Sequence, residues 1–470
     1  MKSYELKPTP ENIEFAFENN LIGRNESLFD FLEFLNNIED DCSIALEGYW
    51  GSGKTFFVKQ MEMIIKAINP FIETNKDLYK IIQHNAKMYI KNYNSDKMIS
   101  QVPIYYDAWL YDNESDPILS LVYSILETFN SELIFKEIKF NGDAIRESLN
   151  NILSSLHINL EIPKLINTND WLSDIKKSRD IHSTIEEFLN QLLEEQGDRL
   201  VVFVDELDRC TPEYAVKLLE RIKHYFNNDR ITFVFSVNLE QLQHTIKSFY
   251  GNNFEASRYL DRFFDLRLSL PAPNKGAFYD MIEFNADENN YEGLINKTII
   301  NHFNLEFREI LKYARILKLV NIQSIDRLLK LSYINHFCNE FIGAIMIPIM
   351  IALKITNIGD YKAFISGNRS DIFVNIYSSN SIFEVMFHGI LKSNEIFEGN
   401  YNRKVNDKKK INFISFLKEI YSFAFIETTE PFYKGEKIII NRNVKKYTLE
   451  KISLINKSLN LDKDSSVYNE

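Results

Sequence analysis

The sequence predicts an α/β fold, with a parallel sheet covered by helices on both faces and an all-helical region behind it. Two patterns predict this. Short apolar runs at 43–47, 102–106, 200–204, 231–237 and 266–270 alternate with segments of helical spacing, and strands separated by helices lie parallel with both faces covered. After residue 275 the strand runs stop, and helical spacing continues to about residue 400. The expected organisation is a core over 1–275 with a helical insertion at 130–196, a helical lid over 276–400, and a small C-terminal region over 401–470.

Residues 1–40 read as helical, with Asn25 as N-cap and Leu28, Phe31, Leu32 and Leu35 at helical spacing. The strand 43–47 leads into a glycine-rich loop at 48–55, and 56–68 continues as helix. Residues 70–100 are mixed and polar and carry no assigned element. The strand 102–106 ends at Asp107-Ala108-Trp109, and 117–129 is an amphipathic helix. Residues 130–196 contain one glycine, Gly142, and read as helical and polar. The strand 200–204 runs straight into Asp205. A helix at 213–226 follows, then the strand 231–237 ending at Asn238, a helix over 239–249, and a fifth strand stopped by Pro271 and Pro273.

The most apolar run, 341–353, is broken by Pro348 and followed by Lys354. It is shorter than the roughly 20 residues that span a bilayer, so it reads as a buried helix and no stable membrane insertion is expected. The basic run 403–410 reads as a solvated loop, followed by a hairpin near 433–441 and a helix from Thr448.

Composition narrows the functional classes. Hydrophobic residues at 45% support a sizeable core. There are 66 acidic against 54 basic side chains, a net charge of −12. That balance disfavours a broad grip on nucleic acid and leaves room only for a local basic groove. Cys42, Cys210 and Cys338 are far apart with no CxxC pair, which argues against a disulfide framework or zinc site and fits a reducing cytoplasm. The first ten residues show no apolar signal segment.

The chemistry sits at strand ends. Gly48-Tyr49-Trp50-Gly51-Ser52-Gly53-Lys54-Thr55 matches G-x-x-x-x-G-K-[ST] between a strand and a helix. Glycines let successive backbone N–H groups converge on phosphate oxygens, Lys54 adds a point charge, Thr55 offers a hydroxyl to Mg²⁺, and the helix start favours the same anion. The strand 200–204 delivers Asp205 to the C-terminal edge, where open parallel sheets bind ligands. Asp205 suits a magnesium site and Glu206 the orientation or deprotonation of an attacking water. Asp208 and Arg209 are open between pairing with each other, capping the next helix and touching a neighbouring subunit. Asn238 reaches the same edge, either as a γ-phosphate sensor or as a helix cap.

Taken together, the tryptophan inside GYWGSGKT, the segment YYDAWLY at 105–111, VDELDRC at 204–210 and YLDRFF at 259–264 resemble the KAP P-loop NTPases over roughly residues 10–330. The resemblance implies an ASCE-type P-loop fold of strand order 5-1-4-3-2. It also implies an extra strand between the two motif-bearing strands, a place assigned here to 102–106. It implies binding and hydrolysis of ATP with Mg²⁺, nucleotide contacts from Gly48 through Phe56, a finger arginine at Arg262 with Arg258 as substitute, and a sensor arginine at Arg308 with Arg315 as substitute. Gly23-Arg24 resembles a turn that lies near the nucleotide. Many members carry Asp-Asp where this chain has Asp205-Glu206, which keeps the base. Many also insert membrane helices, but 130–196 has no long apolar run to match. The expected partners are ATP, other copies of the chain in a homo-oligomer, and a protein encoded by a neighbouring gene, with bacterial anti-phage defence as context. The alternatives are a non-hydrolysing nucleotide-gated scaffold and a nucleic-acid-stimulated ATPase.

Overall fold

The computed structural model describes residues 7–128, 189–190, 193, 197–282, 284, 291–320, 334–393, 407–426, 432–433 and 436–437, except 74, 92, 95, 96, 115 and 227. The insertion expected at 130–196, apart from 189, 190 and 193, the helix expected from Thr448 and the first half of the basic run therefore lie outside the described residues; the second half of that run, 407–410, begins the helix Asp407–Ile426 rather than a solvated loop. The chain divides into one compact unit of Leu6–Ala277 and another that begins at Phe278.

The first unit is built on five parallel strands, β1 (Cys42–Glu47), β2 (Gln101–Asp107), β3 (Arg199–Asp205), β4 (Ile231–Val237) and β5 (Leu266–Ser269). Their order is β2-β3-β4-β1-β5, the expected 5-1-4-3-2 read from the other side. In the sheet β4 separates β1 from β3. Residues 102–106, placed between them by chain order, form the edge strand β2 instead, so the extra strand is β4. Chain order could not show this, because a crossover connection can land on either side of a strand.

Every residue of β3 and β4 is buried. Alternation sorts their side chains onto two faces. Val201, Phe203 and Val234 pack with α1 (Pro10–Glu18), α2 (Asn25–Asn36), α3 (Lys54–Ile68) and α4 (Lys76–Tyr89). Val202, Val204, Phe233 and Phe235 pack with α5 (Pro117–Glu127), α6 (Pro212–Tyr225) and α7 (Leu239–Tyr250). Helix α4 is an element the sequence did not reveal. Only Ile82 and Ala86 of its inner face are fully buried, so its apolar stripe is thin. Asn25 is not the N-cap of α2. It is the first helical residue, and its side-chain amide donates to Phe17 O (2.8 Å).

The second unit is helical where described, apart from one two-stranded ladder. Its helix Ile334–Thr356 contains Pro348, and residues 343–353 are all buried. Tyr377 Oη donates to Ile345 O (2.8 Å) on that helix. Among the described residues no helix is long and apolar enough to cross a membrane. Of the hairpin expected near 433–441, a short antiparallel ladder joins Phe432–Tyr433 to Glu436–Lys437.

Candidate active site

The glycine-rich loop leaves the C-terminal end of β1 beside β4, where Gly48 N–H donates to Val237 O (3.1 Å). Gly51 and Gly53 have φ of 84° and 91°, a region that side chains resist. The second of these turns lets Lys54 begin α3 immediately. A Cβ at Gly48 would come within 2.8 Å of Ser52 Oγ, a buried hydroxyl with no hydrogen-bond partner among the described residues. Lys54 is buried, and its Nζ donates to Gly48 O (2.7 Å) and Tyr49 O (3.3 Å). Burial pushes its pKa down, opposed by the charges of Asp208, Asp205 and Glu206. Arg24 supports the loop from behind, donating to Ser52 O (2.8 Å) and Pro271 O (2.6 Å).

Asp205 ends β3 and is 1% exposed. Tyr105 Oη donates to its Oδ2 (3.1 Å), and the Glu206 N–H donates to its Oδ1 (3.0 Å). Burial pushes its carboxyl pKa up, while the neighbouring hydroxyls of Thr55 and Tyr105 pull it down. Thr55 and Asp205, the two residues assigned to a metal, thus face each other. Glu206 takes a left-handed backbone at φ 61°, which costs free energy in a residue with a Cβ. Burial, and then the neighbouring Asp205, push its pKa up to about 7, against the pull of Arg209.

Arg209 pairs through Nε with Glu206 Oε2 and lies over the Trp109 ring, 5.4 Å from its centroid. Asp208 neither pairs with Arg209 nor caps the next helix. Its Oδ2 accepts from Trp50 Nε1 (2.6 Å), which joins the acidic loop to the phosphate loop across 158 residues of chain.

The end of β2 and the segment that follows it brace this loop. Tyr106 Oη bonds Ser120 Oγ (2.7 Å) and Tyr214 Oη (2.5 Å) in the core, and its ring stacks on Tyr111. Asp112 accepts from Thr211 N–H (2.8 Å) and Oγ1 (2.7 Å) at the start of α6. Tyr105 and Trp109 are site residues that sequence reasoning left without a role, and Asp208 meets a partner, Trp50, that was not among those weighed for it. Their motif was visible, but which side chain meets which was not.

Asn238 caps α7, its Oδ1 accepting from Gln241 N–H (3.2 Å), which leaves the Nδ2 donors for another task. Arg262 is exposed in the turn before β5 and makes no ion pair with a described residue, whereas Arg258 pairs with Glu255 (3.3 Å). Arg308 and Arg315 lie exposed on the helix Phe307–Val320 of the second unit. Tyr49 and Trp50 are exposed, and Phe56 is half-buried at the start of α3.

The donor set suits a magnesium nucleoside triphosphate. An unpartnered buried hydroxyl, a lysine ammonium and a helix start converge at the loop, and a hydroxyl and a carboxylate stand together beside it. Comparison with known proteins agrees. The model of the KAP family P-loop domain matches residues 26–336. An uncharacterised protein of Methanocaldococcus jannaschii is 28% identical over 165 residues, an alignment covering 26% of this chain and 82% of that protein.

Proposed function

The chain belongs to the KAP family of P-loop NTPases, and on that premise we propose that it binds Mg-ATP at residues 48–56 and hydrolyses it with Glu206 as the base. The observation that carries this reading is the Asp205-Glu206 pair, held at the sheet edge beside Lys54 and Thr55. The backbone N–H groups from Gly51 to Thr55 cradle the phosphates, and Lys54 turns from its two carbonyls to the β- and γ-phosphates. Thr55 and Asp205 would hold Mg²⁺, which when bound would neutralise charge on those phosphates. Glu206 accepts a proton at Oε from the attacking water, and Asn238 Nδ2 orients the γ-phosphate.

Arg262 is the proposed finger, acting on a neighbouring copy. Asp265, at the start of β5, bonds the N–H of Ser43 near the start of β1 (2.8 Å). Arg262 therefore belongs to the edge of the sheet opposite its own phosphate loop, a β1 length of about 17 Å away. A homo-oligomer brings it to the next subunit's nucleotide. Arg308 is the proposed sensor from the helical lid. Turnover then drives a switch or motor acting on a protein partner, with bacterial anti-phage defence as the proposed setting.

Lys54→Ala is expected to abolish turnover and weaken ATP binding. Glu206→Gln should keep binding while slowing turnover by roughly 10²-fold. Equilibrium binding measured beside phosphate release separates the two effects, and parental turnover in either variant would refute the assignment. The Arg209–Glu206 pair favours a second reading, in which the base stays engaged and the chain is a nucleotide-gated scaffold. Tight ATP binding with no phosphate release by the parent protein would select it.

A further inference from the structure

Helix α4 packs its inner face, with Ile82 and Ala86, against the core that also holds Val58 and Met61 of α3. Its outer face has no described partner element and forms one wall of a groove of about 580 Å³. That size falls within the range of sites for nucleotide-sized groups. Lys80, His84 and Lys87 line it at helical spacing, with Tyr79 on the same helix and Tyr93 from the segment that follows. Gln83 Nε2 donates to Tyr93 Oη (3.0 Å) and fixes that ring in the groove. The only ion pair described here joins Lys80 to Asp77 (3.1 Å), and both side chains are largely exposed, so it holds the lysine weakly.

We propose that this groove binds single-stranded nucleic acid. Lys80 and Lys87 are seven residues apart, about 10 Å along the helix axis, so they can meet phosphates of neighbouring nucleotides. Tyr79, itself 41% exposed, offers a ring face on which a base can stack. An acidic peptide would use the lysines but not the rings. A membrane would want a convex apolar face rather than a polar groove. Helix α4 carries three lysines against one acid in a chain of net charge −12. The net charge repels a polyanion at long range, and this stretch is a local excess of positive charge to which one can be drawn. The inference is independent of the proposed hydrolysis, because the groove lies outside the phosphate loop.

The test is fluorescence anisotropy of labelled oligo(dT) and oligo(U), each about 15 nucleotides long, with full-length protein, no ATP and low salt. Binding of either strand is expected, and preference for one identifies DNA or RNA. Lys80→Glu/Lys87→Glu should weaken it at least ten-fold and flatten the salt dependence by about one unit of log–log slope. Tyr79→Ala should weaken it about five-fold. ATP affinity should not change in either variant, which shows that they fold. Lys80→Gln/Lys87→Gln should give a smaller loss in the same direction. Equal binding by parent and charge-reversed protein would overturn the proposal. So would a loss seen only in Lys54→Ala, or a parent that binds polyglutamate or phosphatidylglycerol vesicles and ignores both oligonucleotides.

Discussion

The two edges of the sheet use the same residue types for opposite purposes. At the edge where the strands begin, charged side chains clamp backbone. The Arg199 guanidinium donates to Ile38 O and Glu39 O, Arg230 to Asp198 O (3.2 Å) and Gly197 O (3.0 Å), and Asp198 accepts from Ser100 N–H (2.9 Å). At the edge where the strands end, Arg24 also clamps backbone, at Ser52 O and Pro271 O, but the charged groups of the site itself rest on partners they can exchange. Lys54 rests on two carbonyls of its own loop, Glu206 on Arg209, and Asp208 on Trp50. The carbonyls clamped at the first edge belong to the turns that lead into β1 and β3, so these bonds fix where those strands start and make the first edge a frame. Side-chain partners can be exchanged for a ligand at small cost, so the second edge can do chemistry. Arg262 belongs to the first edge by position but clamps nothing described there.

That exception gives the largest expected effect. Arg262→Ala should cut phosphate release by about 10³-fold while leaving ATP affinity within a few-fold. Mixing it with Lys54→Ala subunits should restore part of the activity, since an intact site forms where one variant's Lys54 meets the other's Arg262. A fully active, ATP-bound monomer by light scattering would remove the distinction between Arg262 and its clamping neighbours.

The frame itself is tested by Arg199→Ala. Two carbonyls lose a charged donor, so stability should fall by about 2 kcal/mol, read from denaturant midpoints. Turnover per folded molecule should hold, and a selective loss of kcat would show that this edge takes part in the chemistry.

The smallest effect is expected at Trp50→Phe, which keeps the ring but removes the donor to Asp208. Turnover should slow roughly ten-fold at similar ATP affinity. In the parent, nucleotide binding should change Trp50 fluorescence, and Asp208→Asn should alter that signal. An unchanged signal and unchanged kcat would make the bond a resting contact without influence on the site.

The residues 48–55 and the acidic end of β3 were legible in the sequence because their chemistry depends on local spacing. Glycines at fixed offsets set the loop's torsions, and an apolar run followed by an acid places that acid at a sheet edge. Continuous burial of β3 and β4 made those strands readable for the same reason. Three features needed the folded chain. Helix α4 hid because only two of its residues are fully buried, too few to stand out as a stripe. The strand order was expected from the resemblance, but that its extra strand is β4 and not 102–106 followed from how crossovers pack on the sheet, which chain order does not encode. The pairings Trp50–Asp208, Tyr105–Asp205 and Arg209–Trp109 join side chains whose sequences carry no shared period. Local sequence decided which groups reach the sheet edge, because backbone torsion and burial act over a few residues. Tertiary structure decided which of them meet, because a hydrogen bond between distant segments exists only once the strands that carry them are in register.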